Sequence, residues 1–211
     1  MTGVGDSYAW PFQDPGWFGK IVLQGLIAII PILGWIALFG WFAFTVDNYR
    51  AGRRELAPAG FHLERGIGFF LVYFVYAIVF GIPGGIISGT ASSAHSASLS
   101  SLGSLVSFAL SVLLAFLTPA IFLNTYRAGI NGGFDFNAVW QLATLNTTNT
   151  VVAGLLIWVS GLIAVIGILF CCVGLLFTIP YAMAVNAGIV TWYERMTGAP
   201  GTPGPSPTLP A

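Results

Sequence analysis

Charge is what this sequence has least of. Seven basic and seven acidic residues serve 211 positions, 7% of the chain, where a soluble domain carries about a quarter. None of them falls in 21–46, 66–126 or 136–193. A surface that stays wet needs charge along every element, so a water-soluble globular domain is excluded as a class. The balanced signs exclude a cationic face for nucleic acid. Alternation of apolar and polar residues in segments of about ten, the mark of a membrane β-barrel, is also missing. Cysteine occurs twice, as the neighbours Cys171 and Cys172. Adjacent cysteines form only a strained bridge, and two thiols with no His, Asp or Glu nearby make a poor metal set, so they read as small apolar packing. Paired carboxylates, a Ser or Cys with a His base, a phosphate-cradling glycine loop and a metal-ligand cluster are all lacking. The expectation is a non-enzyme with no cofactor and no catalytic, cofactor-binding or metal-binding residue.

Apolar residues are abundant instead, at 56% of the chain. Runs such as Phe69 to Ile82 and Val151 to Phe170 are apolar on every helical face, as lipid-buried helices are. A bilayer core about 30 Å thick takes roughly twenty helical residues per crossing. Measured that way, the chain predicts an all-α polytopic transmembrane bundle with spans near 21–46, 67–88, 103–126, 150–170 and 173–193. One integral membrane domain, 1–197, accounts for nearly everything, followed by a disordered Pro-rich tail, 198–211. Residues 88–101, rich in Ser, Ala and Gly, read as the longest loop, and the chain should reverse tightly near Gly167 to Gly174. The first span is ambiguous. A single crossing gives five spans and places the two termini on opposite sides; a hairpin or re-entrant pair opened by Pro31 and Gly34 gives six and places them together. Arg50, Arg127 and Arg195 fall on one side either way, which the positive-inside rule makes the cytoplasm. The protein is thus expected in the inner (cytoplasmic) membrane with its C-terminus cytoplasmic. No cleavable signal peptide is visible, because a basic leader is missing and Pro11 and Pro15 interrupt the approach to the apolar run.

Three helix ends echo one another: Asn48-Tyr49-Arg50-Ala51-Gly52, Thr125-Tyr126-Arg127-Ala128-Gly129 and Trp192-Tyr193-Glu194-Arg195. The simplest reading is punctuation by an interfacial Tyr, a snorkelling Arg and a stopping Gly. Trp10, Phe12, Trp17 and Phe18 read as headgroup-level anchors before the first span. Past Asp135, a capping residue, Phe136, Val139, Trp140 and Ala143 share one helical face and Asn137, Gln141, Thr144 and Thr148 another, the pattern of an interfacial helix. Asp47 and Arg50, one turn apart, suggest a local ion pair. His62, Glu64 and Arg65 form a polar entrance to the second span, and His95 stands alone in the Ser-rich stretch. Gln24, Asn124 and Asn186 are the polar side chains nearest the interior, with interhelical hydrogen bonding as their default role. Gly81, Gly85 and Gly89 around Pro83 suggest close helix packing or a break.

Several of these residues resemble a known family. Tyr8, Pro11-Phe12-Gln13-Asp14-Pro15-Gly16-Trp17, Lys20, Gly25 and Ile30-Pro31-Ile32-Leu33-Gly34, with a helix closing on Arg50, are similar to the start of an uncharacterised prokaryotic integral membrane family, catalogued as domain-of-unknown-function family four-zero-one-three. Phe134-Asp135-Phe136 with Trp140, and Cys171 to Tyr181, resemble it too. Between Leu56 and Gly66 the chain departs from that family's pattern, reading Pro58-Ala59-Gly60-Phe61-His62-Leu63-Glu64-Arg65. The resemblance implies a bacterial or archaeal membrane protein and supplies no activity or ligand. The expected role is a structural or accessory membrane component whose partners are the lipid bilayer and other membrane proteins or a second copy. The alternative is a small transporter or channel, and a lipid-acting enzyme built from His62, Glu64 and Asp135 ranks third.

Overall fold

The computed structural model describes residues 5–93, 96–170 and 173–198. His95, Cys171, Cys172 and all but the first residue of the Pro-rich tail lie outside them. The described residues form helices and no strand: α1 (Asp6–Ala9), a 3-10 turn (Trp10–Gln13), α2 (Trp17–Ala28), α3 (Leu33–Arg50), α4 (Leu63–Ser93), α5 (Ala97–Phe134), α6 (Phe136–Leu145), α7 (Thr147–Ile166), a second 3-10 turn (Gly167–Phe170) and α8 (Val173–Met196). The protein is an all-α bundle.

Four of these helices are long and apolar enough to cross a bilayer: 63–90 in α4, 97–134 in α5, 147–166 in α7 and 174–196 in α8. The expected five or six is slightly more than these four. The difference lies in 21–46, which is no continuous helix. At Pro31-Ile32-Leu33 the chain makes a tight γ-turn, with Leu33 N–H donating to Pro31 O at 2.7 Å and Ile32 at φ 62°, ψ −59°, a rare and strained conformation for a β-branched residue. α2 then folds back against the start of α3, where a Cβ on Gly34 would strike Ile27 O. With 12 residues α2 reaches only about 18 Å, short of a 30 Å core. The chain is therefore broken at Pro31, as the hairpin or re-entrant alternative expects, though α2 is too short to count as a further span, and the break brings the N-terminal segment back toward Arg50: Trp10 Nε1 donates to Arg53 O at 3.2 Å.

α3 is the axis of the bundle. Its Ala37, Leu38, Trp41, Phe42, Ala43 and Thr45 are fully enclosed, and an aromatic cluster of Phe39, Phe42, Phe69, Tyr73 and Phe122 joins it to α4 and α5. The surrounding helices are apolar on their outer faces instead, with Val79, Leu105, Phe108, Leu155 and Val165 each more than half exposed. Such faces suit hydrocarbon.

Two prolines prepare close helix contacts. Pro119 in α5 and Pro180 in α8 lack the N–H that would bond the carbonyl four residues back, which frees Ala115 O and Leu176 O. A glycine of a neighbouring helix sits on each: a Cβ on Gly154 would meet Ala115 O, and one on Gly25 would meet Leu176 O. Removing Cβ lets the second backbone cover the freed carbonyl.

The expected loop at 88–101 is mostly helix. α4 runs on to Ser93 and α5 starts at Ala97, and the serine and threonine hydroxyls are satisfied within the helices by bonding back into the turn before: Thr90 to Ile86 O, Ser93 to Gly89 O, Ser101 to Ala97 O and Ser104 to Ser100 O. α4, with 31 residues, is about 46 Å long. Gly81, Gly85 and Gly89 have open space where a Cβ would stand; the close approach instead uses Gly84 against Ser107 and Gly103 against Ser88. The reversal expected near 167–174 passes through 171 and 172, outside the described residues; on either side of it α7 and α8 are joined by Thr178 Oγ1 donating to Ala164 O at 3.0 Å. α6 is amphipathic as expected: Asp135 caps it through Ala138 N–H at 3.0 Å, Val139, Leu142 and Ala143 are buried, and Phe136 and Trp140 stack outside.

Candidate functional site: a charge cluster where the helix ends meet

The three echoed helix ends converge. Glu194, near the end of α8 and 7% exposed, receives two of the echo's three arginines. Arg50 at the end of α3 grips it in a fork, Nε to Oε2 at 3.0 Å and an Nη to Oε1 at 3.2 Å. Arg127, just before the kink in α5 at Gly129, reaches Oε1 through Nη at 2.9 Å and Nε at 3.3 Å. The arginines are not free snorkelling groups; one carboxylate ties three helix ends together. The kink explains how α5 delivers Arg127 and then turns away: Gly129 adopts φ 65°, ψ −151°, a region open in practice to glycine alone.

A second carboxylate extends the cluster. Asp47 does not close a local pair with Arg50. It accepts hydrogen bonds from Arg65 of α4 and from the Tyr126 hydroxyl of α5, while Arg50 lies 5.0 Å over the Tyr126 ring. Arg65 also stacks on Phe44 at 4.8 Å. The echoed tyrosines are structural as well. Tyr49 is buried edge-on against Trp10 at 4.9 Å with Arg195 over its ring at 5.9 Å, and Tyr193 O–H donates to Leu142 O at 3.0 Å and pairs with Thr150 Oγ1 at 3.0 Å. Trp10, expected at headgroup level, is 1% exposed and belongs to the core.

A separate ion pair fastens the re-entrant pair. Asp14, 3% exposed, accepts from Lys20 Nζ at 2.7 Å, Gly16 N–H at 2.7 Å and Leu56 N–H at 2.8 Å, and Lys20 also donates to Leu56 O at 3.0 Å. Burial on its own would raise the Asp14 pKa; the Lys20 ammonium and the two backbone N–H groups outweigh it and hold the carboxyl below its ordinary value. Further along, Gln24 Oε1 accepts from Gly60 N–H at 3.0 Å and Trp41 Nε1 donates to Ala57 O at 2.9 Å. The segment after Arg50 therefore packs down along α3, nine residues from Arg50 at Trp41, about 13 Å of helix rise.

The remaining sequence candidates separate. Arg65 joins the charge cluster. His62 bonds Pro58 O through Nε2 at 2.8 Å and lies on Phe44 at 4.7 Å, Glu64 is exposed, and Asp135 is a helix cap; no hydrogen bond or ion pair joins the three among the described residues. Asn186 does make the expected interhelical bond, from Ser160 Oγ at 2.5 Å. Gln24 bonds a loop instead of a helix, and Asn124 Nδ2 is buried with no partner among the described residues. The sequence reading missed Glu194 as the hub. Its signal was present, a lone acid in the third copy at the place where the other two have Arg directly after Tyr.

Neither the curated proteins nor the solved structures contain a match to this chain. Of the residues that carry the family resemblance, Gly25, Ile30 to Gly34, Arg50, Phe134 to Phe136, Trp140 and Cys171 to Val173 fall inside the span that a family does match. That span is residues 23–173, the family is described as "Protein of unknown function (DUF4013)", and the chain belongs to it.

Proposed function

We propose that this is a non-enzymatic structural or accessory component of a prokaryotic inner membrane, with its C-terminus in the cytoplasm. Its partners on this reading are bilayer lipid and either other membrane proteins or a second copy. The observation that carries the reading is an inverted polarity: outer helix faces bearing Phe108 and Leu105, 69% and 65% exposed, surround an interior that holds Glu194, Asp14 and Gln24. Water would penalise the first, and hydrocarbon would penalise those polar and charged groups anywhere but inside. The basic helix ends at Arg50, Arg127 and Arg195 lie together, and the positive-inside rule makes that grouping an argument for a cytoplasmic end. A charge cluster that locks α3, α5 and α8 suits a rigid scaffold better than an alternating-access device. The test is affinity capture in mild detergent beside solute and ion flux in liposomes. Stoichiometric co-purification without flux supports the accessory role; flux that depends on Asn186 or Gln24 would replace it with transport.

A further inference from the structure

Between α3, α7 and α8 runs a partly open groove of about 270 Å³, bordered by Trp35, Leu38, Ala164, Ile168, Leu175 and Met183 and reaching Asn186. On α8 it extends from Leu175 to Asn186, about 17 Å of helix rise, roughly half a 30 Å bilayer core. Glu194 lies eight residues beyond Asn186, another 12 Å or so. The groove thus lies at hydrocarbon depth with its polar end near the middle of the bilayer.

Three observations select an occupant. The volume, about 270 Å³, sits at the small end of ligand sites, which begin at about 300 Å³, and suits one alkyl chain or a small ring. Gly161 borders the groove with no atom within 4 Å of where its Cβ would stand, so this glycine leaves space that no packing demands. Asn186 is 8% exposed, and its amide has one partner among the described residues, Ser160. Ser160 Oγ also lies 2.7 Å from Ile157 O, and one hydroxyl proton serves only one of the two acceptors. Whichever way the amide faces, at least one of its N–H donors stays unused. An unused donor at the end of an apolar groove selects a hydrogen-bond acceptor on an otherwise apolar molecule.

We propose that this groove binds a single-chain lipophilic carbonyl compound dissolved in the bilayer, its oxygen accepting from Asn186 and its tail lying along α8 toward Leu175. The proposal rests on the membrane reading above, and the test separates the two. Protein reconstituted in nanodiscs is titrated with a decyl-tailed benzoquinone, reading the part of the tryptophan fluorescence that Trp35→Phe removes, with 2-dodecanone and dodecane as competitors. Saturable quenching is expected, with 2-dodecanone competing about fivefold better than dodecane, the worth of one hydrogen bond. Asn186→Leu should erase that preference, and Gly161→Leu or Ala164→Leu should abolish saturation with the fold intact by circular dichroism. Unsaturable quenching that is equal in native protein and Gly161→Leu overturns the site. Equal competition by the ketone and the alkane overturns the role of Asn186. Extraction of the protein from membranes by alkaline carbonate would instead overturn the membrane reading itself.

Discussion

Replacing Glu194 by Gln keeps the side chain's shape and removes the charge that two arginines share. Stripping one partner from a buried ion pair costs about 3–5 kcal/mol. Arg50 and Arg127 keep some access to solvent, 25% and 18% of their side chains, and can partly rehydrate, which brings the expected cost to about 2–3 kcal/mol. At about 2–4 °C per kcal/mol for a chain of this size, thermal unfolding in a mild detergent should begin about 4–12 °C lower. Glu64→Gln, an exposed acid in the first turn of α4, serves as the control and should change stability by less than about 0.5 kcal/mol. A double-mutant cycle makes the argument specific: Arg127→Met should cost less once Glu194 is gone, with a coupling of about 1–2 kcal/mol. If Glu194→Gln melts with the native protein, or the two changes simply add, the cluster is not what joins α3, α5 and α8.

Four further outcomes follow from the same contacts. Asp14 titrates below its ordinary value of 3.8 when folded, so its stabilisation is complete above that pH and is lost as pH falls through the lower folded pKa; acid melting curves should therefore steepen below about pH 4 in the native protein and flatten in Asp14→Asn. Ile32→Gly should stabilise by about 1 kcal/mol, because the strained γ-turn residue is 64% exposed and buries little, and a lower melting temperature would refute the strain. Gly66→Ala drives a Cβ into Ile36 O while Gly81→Ala meets open space; stability read from melting should fall for the first by about 1–3 kcal/mol or more and hold or rise for the second. Cysteines placed at Gly5 and Met196, in a background lacking Cys171 and Cys172, should label from the same side of the membrane, since α2 and α3 double back; opposite labelling would restore a single first crossing.

Much of the fold is legible because hydrophobic length is a local property. The runs that became α4, α5, α7 and α8 announce themselves by the absence of charge over a bilayer's thickness, and Asp135 announces α6 by its position before an amphipathic stretch. The serines at 88–101 misled because composition cannot tell a hydroxyl facing water from one bonded to the carbonyl a turn earlier. Span 21–46 stayed ambiguous because Pro31 and Gly34 permit a break without requiring one; contact with α8 through Gly25, and the bonds of Lys20 and Gln24 to Leu56 and Gly60, decided it.

The amino-acid sequence alone determined the solvent these helices suit, the helical class, the family, and the common side of Arg50, Arg127 and Arg195, since each depends on which residue types occur and how far apart. Only the tertiary structure decided what the charges do. Glu194 lies 144 positions from Arg50 and 67 from Arg127, and partners that far apart meet through helix packing and a glycine kink, which no spacing rule along the chain encodes.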